Sequence, residues 1–383
     1  MNPARHRFAL TFIPLLALLV PLQGHARNPV EAVKALDHDG DGRVSLSEWD
    51  KPKKPFQRID KNGDGYLTAE EFAADWGVPM PGSEEAATPA VIAGCAIPPH
   101  PLPIADAHYH ILPWQQPDDV CRLMQEHGIK WIGGAGQMQP DALVDRYKAR
   151  LGEQWRIFGG QRQLSMEFPK AHGHGIIEDA DHPAMRELLA MLDKELQSGY
   201  FKGIGEVHIN TRTSAPRPDW QRKLRANAPG IKALADLAAR HRVPLSIHAQ
   251  WDNDTEQQLA ALANHNPQTV ILLAHCGTDA SASQIRVFLN EHPNVTCDLS
   301  SRYDRVKKYP ERQIYAGNKL DSAWKSLIEE MPERFTVGVD DVHSEKEYAH
   351  VVRAIREGLL ANLTPETARR VAHENADRIF GMN

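Results

Sequence analysis

Cysteine is scarce in this chain: Cys95, Cys121, Cys276 and Cys297 are the only four in 383 residues. So few exclude a small disulfide-built scaffold and leave the fold to a hydrophobic core. Whether Cys95 and Cys121 pair is left open; in an oxidising compartment that bond would tie a linker to the first helix of the following domain. Cys276 and Cys297 lie on apolar, strand-like runs and are expected to be buried free thiols. An excess of charge is also missing. A net charge of -6 and a pI near 6.3 give no general attraction to nucleic acid or to an anionic membrane, so a nucleic-acid partner is not expected. The hydrophobic share, 42%, and the charged share, 25%, are those of an ordinary globular protein large enough for two or more domains.

Residues 8–22 form a mostly apolar run after the basic start Arg5, His6 and Arg7, and Gly24-His25-Ala26 supplies small residues at a cleavage position. The run is too short, and too broken by Pro14 and Pro21, to favour a spanning helix. Residues 1–26 therefore read as a secretory signal peptide. The expectation is an exported, periplasmic protein with no membrane anchor after cleavage.

Two tandem segments carry oxygen ligands at calcium-loop spacing. In the first, Asp37, Asp39 and Asp41 occupy positions 1, 3 and 5, Gly42 makes the turn, Arg43 offers its carbonyl and Glu48 closes the loop. The second repeats this with Asp60, Asn62, Asp64, Gly65, Tyr66 and Glu71. One such match arises by chance; two in tandem, each with glycine and closing glutamate, are a strong signal. Residues 28–76 resemble a small α-helical EF-hand pair. Pro52 and Pro55 leave little room for two full helices between the loops, which resembles compact, dockerin-like bacterial pairs. With no long hinge or Met-rich groove, a structural or protein-docking role is expected rather than a switch. Residues 77–102, rich in Pro, Gly and Ala, read as a linker.

From residue 103 to 383, apolar runs alternate with amphipathic stretches. The strand-like runs are 104–108, 129–133, 156–160, 203–208, 244–248, 270–275, 295–299 and 335–340. Helix-like stretches fall at 118–127, 183–198, 230–241, 255–264, 282–292 and 346–360. Eight such units in about 280 residues predict an α/β fold, a (β/α)8 TIM-type barrel, with a doubly wound open sheet as the alternative.

Polar residues sit where these runs end. His108 and His110 share one face at the end of the first, because strand side chains alternate with period two. Glu206 stands on the fourth, in Gly-Ile-Gly-Glu-Val-His. His248 ends the fifth, His275 the sixth and Asp340 the eighth. Any one of them alone would pass as a hydrogen-bonded core residue. Four histidines and two carboxylates at five strand ends do not, because strand C-termini are where such barrels place their active sites. Imidazoles with carboxylates suit a divalent transition metal, zinc above others.

This order resembles the amidohydrolase superfamily of metal-dependent hydrolases, and its amidohydrolase-related branch in the C-terminal Asn375-Ala376-Asp377-Arg378-Ile379-Phe380-Gly381. The resemblance covers residues 103–383. It implies that His108, His110 and Asp340 bind one metal, that His248 and His275 bind a second, and that Glu206 bridges them; some relatives hold one metal only. It also implies hydrolysis through a water whose pKa a metal has lowered to about 7. Asp340 would take the water's proton, and His275 would orient the substrate oxygen if one metal is present.

Loops after the strands are expected to set specificity. They carry Gln161 and Arg162, Asn210, Arg212 and Arg217, Trp251, and Arg302, Tyr303, Arg305, Lys307 and Lys308. Arg162, Trp251 and Arg302 are the expected substrate contacts, arginine suiting a carboxylate or phosphate. The expected activity is hydrolysis of an ester, lactone, amide or phosphoester of a small, anionic molecule. The rival readings are a metal-dependent decarboxylase on the same barrel and a non-catalytic, calcium-dependent docking protein. The oligomeric state is not legible.

Overall fold

This computed structural model describes residues 29–49, 53–76, 80, 94–111, 115–139, 141–213, 220–303, 312–340 and 342–381. The expected signal peptide, most of the expected linker, and Arg217, Arg305, Lys307 and Lys308 lie outside the described residues. Two compact units divide the chain, Met1–Thr88 and Pro89–Asn383. Among the described residues no helix is long and apolar enough to cross a membrane.

The first unit holds α1 (Pro29–Leu36), β1 (Val44–Ser45), α2 (Lys53–Ile59), β2 (Tyr66–Leu67) and α3 (Ala69–Trp76). β1 and β2 pair antiparallel, Val44 opposite Leu67, which ties the two acidic loops back to back. Val33, Val44, Trp49, Phe56, Ile59, Leu67 and Phe72 form the core, with Trp49 edge-on to Phe56 at 5.8 Å. Gly42 and Gly65 have φ of +86° and +84°, where a Cβ would be strained, so glycine at the sixth loop position is required by the turn.

In the second unit, eight parallel strands follow one another around a curled sheet: β3 (Ile104–Asp106), β4 (Ile129–Gly136), β5 (Trp155–Gly160), β6 (Ile204–Asn210), β7 (Leu245–Ala249), β8 (Ile271–Ala274), β9 (Val295–Asp298) and, after the small hairpin β10 (Tyr315–Ala316) and β11 (Lys319–Leu320), β12 (Phe335–Thr336). Each strand neighbours the next without a reversal, which rules out the doubly wound sheet. Beyond the end of the ladder, Ala107 N–H donates to Val337 O at 2.9 Å and Asp340 N–H to His108 O at 2.7 Å, joining the last strand to the first. Asp106, fully buried, supports the seam by accepting from Val339 N–H at 2.9 Å and from the Tyr348 hydroxyl at 3.0 Å. The result is a TIM-type (β/α)8 barrel.

The outer layer comprises α4 (Pro117–His127), α5 (Asp141–Leu151), α6 (Phe168–His172), α7 (Pro183–Gln197), α8 (Pro229–His241), α9 (Asn253–His265), α10 (Ala282–Glu291), α11 (Ser322–Glu330), α12 (Glu345–Arg353), α13 (Pro365–Arg369) and α14 (Asn375–Ile379). Local sequence explains their limits. Ser281 and Gln284 form a capping box on α10, Asp252, Asp321 and Ser344 cap α9, α11 and α12, and Pro opens α4, α7 and α8.

The C-terminal signature has a structural reason. Asn375 donates to Pro332 O and Phe335 O, holding β12. Asp377 accepts from the Trp131 indole and from Lys130, each at 2.7 Å. Phe380 packs against Trp131 and stacks on Phe158, closing a core patch with Ala105 and Leu272.

All four cysteines are bonded. Cys95 pairs with Cys121, the arrangement that the sequence left open. Cys276 pairs with Cys297, so the expectation of two free thiols is corrected: neighbouring parallel strands bring their Cα atoms to 4.7 Å, a proximity that sequence separation conceals.

Candidate metal centre

The six residues expected at the strand ends meet at one point, the C-terminal mouth of the barrel. His108 and His110 follow β3, Glu206 lies in β6, His248 in β7, His275 follows β8 and Asp340 follows β12. The backbone is bent to aim them. His275 and Asp340 have φ of 53° and 71°, left-handed conformations that cost free energy for non-glycine residues and cluster at functional sites. Room for the bend comes from Gly338, where a Cβ would meet His108 Cβ at 2.4 Å.

Spacing within the cluster fits a divalent ion. His108 Nε2 lies 3.2 Å from His110 Nε2 and 3.5 Å from Asp340 Oδ1. His110 Nε2 is 3.6 Å from Asp340 Oδ1, and both rings are 3.9 Å from Glu206 Oε2. Ligands about 2.0–2.1 Å from a tetrahedral zinc stand roughly 3.3–3.5 Å apart, so these edges need only small adjustment. On the other side of Glu206, Oε1 is 2.9 Å from His248 Nδ1 and 3.5 Å from His275 Nε2. Several three-ligand subsets could therefore hold an ion, among them His108, His110 and Glu206, and His108, His275 and Asp340.

Outer partners orient the rings. Asp298, at the end of β9 and fully buried, accepts from His108 Nδ1 at 2.7 Å. The Ser300 hydroxyl donates to the same carboxylate at 2.5 Å and receives His275 Nδ1 at 2.9 Å. Gly136 O accepts from His110 Nδ1 at 3.0 Å. In each case the Nδ1 proton is engaged outside, which turns the Nε2 lone pair inward. Ser301 donates to Asp340. Sequence reasoning missed Asp298, Ser300 and Ser301. The signal available was Asp-Leu-Ser-Ser at a strand end, a polar cluster after an apolar run. It also missed His208, two residues beyond Glu206 on the same strand face, with Nε2 3.0 Å from Glu206 Oε2.

The ionisation of the cluster is divided. Burial opposes the Asp340 charge, yet His275, His108 and His110 hold that carboxyl well below its usual range. Glu206 behaves likewise: burial raises it, and His248, His208 and His108 more than offset this. Burial lowers His108, but Asp298 and Asp340 lift it to about 10. For His248 burial prevails, bringing it to about 4. Metal entry would thus meet charged carboxylates and displace protons from histidine.

Residues 105–382 match the family model described as amidohydrolase. The chain belongs to the amidohydrolase family. Members of this family are metal-dependent enzymes. Residues 32–51 and 54–74 each match the EF-hand description. Among solved structures, the amidohydrolase is similar to an amidohydrolase from Burkholderia multivorans with bound HEPES, at 15% identity over 73% of this chain and 99% of that one, TM-score 0.44. It is similar also to a probable 2-pyrone-4,6-dicarboxylic acid hydrolase from Acinetobacter baumannii, at 13% identity over 73% and 99%, TM-score 0.45. A 2,6-dihydroxybenzoate decarboxylase from Rhizobium matches at 13% over 73% and 98%, TM-score 0.43. No curated protein matches.

The three residues expected to touch substrate are otherwise engaged in this amidohydrolase. Arg302 is fully buried; its guanidinium donates to Thr278 O and to Ala280 O, and lies over the Trp324 ring. Trp251 packs edge-on to Phe288 and donates to Glu256, forming part of the core. Arg162 pairs with Glu167 at 3.0 Å and Asp141 at 3.6 Å, and lines a cavity of about 400 Å3 with Gln163, Met191, Glu195 and Tyr200. No member of the histidine–carboxylate cluster lines that cavity. These were read as loop residues at the mouth. Sequence does not show that packing buries Arg302 and Trp251; Arg162 stays 34% exposed on its cavity wall.

The backbone N–H groups of both EF-hand loops are gathered by the loops' own carboxylates. Asp37 accepts from Gly40 and Gly42 N–H, and Glu48 bridges His38 N–H and Ser45 N–H, each at 2.8 Å. Hydrogen bonds from Ser45 and His38 hold the Glu48 carboxyl down to about 2. Asp37, Asp39 and Glu48 stand close enough together to hold a metal ion, and Asp41 binds the Arg43 guanidinium, itself 4.0 Å above the Tyr66 ring. The second loop repeats the pattern: Asp60 accepts from Gly63 and Gly65, Asn62 donates to Asp64, and Glu71 accepts from Lys61 and Thr68.

Proposed function

We propose that this amidohydrolase is an exported, zinc-dependent hydrolase acting on an ester, lactone, amide or phosphoester of a small molecule. The observation that carries the reading is the position of Asp340. Its Oδ1 faces His108 and His110 across 3.5–3.6 Å, Ser301 holds its other oxygen, and the carboxylate is 15% exposed towards the mouth. A carboxylate so placed is charged, oriented and within reach of a substrate, as a general base must be.

When bound, zinc supplies Lewis acidity and lowers the pKa of a water to about 7. Asp340 takes the proton of the attacking water on a carboxylate oxygen and returns it to the leaving atom. His275, fixed through Nδ1 by Ser300, presents Nε2 to the substrate oxygen. Among the described residues Arg162, Arg212, Arg222, Arg302 and Arg312 each have a protein partner, and Arg212, 58% exposed, stays open to a small anionic substrate.

Export is supported by the pairing of all four cysteines, which suits an oxidising compartment. The EF-hand unit is proposed to bind calcium as a structural or docking element.

The test is turnover of an ester, lactone, amide and phosphoester panel by zinc-loaded protein in 18O water. Label in the product supports hydrolysis. Carbon dioxide release from aromatic acids without label would replace it with a decarboxylase. Calcium without any transition metal, and no turnover, would leave a docking protein.

A further inference from the structure

We propose that the barrel mouth takes a second divalent ion, held by Glu206, His208 and His248, with His208 as a ligand. The proposal rests on the metal-dependent reading above. It changes the expected ligand set, which gave the second ion His248 and His275.

Three observations carry it. First, ligand atoms of Glu206, His208 and His248 all lie within 4.8 Å of one another. His208 Nε2 is 3.0 Å from Glu206 Oε2, and His248 Nδ1 is 2.9 Å from Oε1, so one carboxylate spans both rings. The rings meet edge-on with centroids 5.0 Å apart, leaving their nitrogens directed at a common carboxylate rather than stacked.

Second, His208 is supported as the other cluster histidines are. His108, His110 and His275 each turn Nε2 inward while Nδ1 meets Asp298, Gly136 O or Ser300. His208 does the same, with Nδ1 3.4 Å from Ser165 Oγ in the π-helical turn Gln163–Glu167. An outer partner on the far nitrogen fixes the tautomer that ligation requires.

Third, Glu206 has five imidazoles around two oxygens. Oε2 faces His108 and His110 as well as His208, and Oε1 faces His248 and His275. A single ion cannot collect all five rings with Asp340 in a tetrahedral or five-coordinate shell. Two ions sharing Glu206 would take four of the rings, His108 and His110 for one and His208 and His248 for the other. Assigning His208 to the second leaves His275 beside Ser300 and Asp340, in position to orient substrate.

The experiment counts ions. Full-length protein with calcium-saturated loops is loaded with cobalt(II), desalted, and assayed for cobalt per chain and for visible d–d absorbance. Wild type should hold two equivalents and His208→Ala one, with added imidazole restoring part of the second. Ser165→Ala, which leaves every ligand in place, should weaken only the second equivalent, by about 10- to 100-fold; it keeps the test decisive if His208→Ala does not fold. One equivalent in both wild type and variants, or two in all, overturns the proposal while the hydrolase reading stands. No cobalt in wild type removes both.

Discussion

Changing Asp298 to asparagine removes one negative charge from a carboxylate that orients two candidate metal ligands. His108 Nδ1 lies 2.7 Å from Asp298, and the Ser300 hydroxyl at 2.5 Å passes the same orientation to His275. His108 and Asp298 are fully buried, so water cannot take over the lost acceptor. A charge-assisted hydrogen bond in such a place is worth about 1.5–3 kcal/mol. An outer-shell carboxylate of this kind typically changes metal affinity about 10- to 100-fold, or roughly 1.4–2.8 kcal/mol. Two rings depend on Asp298, so the upper half of that range is expected. The assay is zinc competition against a chromophoric chelator, with the melting temperature of metal-free protein as a control on folding. Zinc affinity within twofold of wild type in a folded Asp298→Asn protein would show that the carboxylate does not orient the site.

Other perturbations separate chemistry from scaffold. Asp340→Asn should keep the fold yet lose most hydrolysis, since an amide cannot accept the water's proton; near-normal turnover in metal-loaded variant would remove that base. Phe380→Ala empties the contact between Trp131 and Phe158 and should cost about 3–5 kcal/mol, read by chemical denaturation of the whole protein. Burial opposes the charge of Asp252, but Thr255 N–H and Lys223 overcome this and lower its carboxyl to about 2. Its folded pKa lies below the unfolded one, so its stabilisation is full above about pH 4 and is lost as pH falls towards 2; Asp252→Asn should flatten that acid limb by about 2 kcal/mol. Removing calcium should loosen residues 29–76 to proteolysis, because their core is small and the acidic loops repel without the ion. Loss of hydrolysis at constant barrel metal would make calcium a regulator instead.

By itself the sequence determined the alternation of eight apolar runs with helical stretches, and hence the barrel. It also determined both acidic loops and the polar residue at each of five strand ends. These are local properties: period, capping, turn glycines and ligand spacing act over a few neighbouring residues. Even the C-terminal Asn375–Phe380 motif was legible as a pattern, though its work of holding β12 and closing a core patch was not. Only the tertiary structure decided which distant residues meet. Cys276 joins Cys297 because β8 and β9 are neighbours, and Asp298 reaches His108 because the sheet curls until the last strand meets the first. Arg302 and Trp251 turn inward because packing and main-chain carbonyls capture side chains that a sequence would assign to the surface. His208 stood two residues from Glu206 throughout; what only the fold supplies is Ser165, in the turn after the neighbouring strand β5, whose hydroxyl lies 3.4 Å from the far nitrogen of His208.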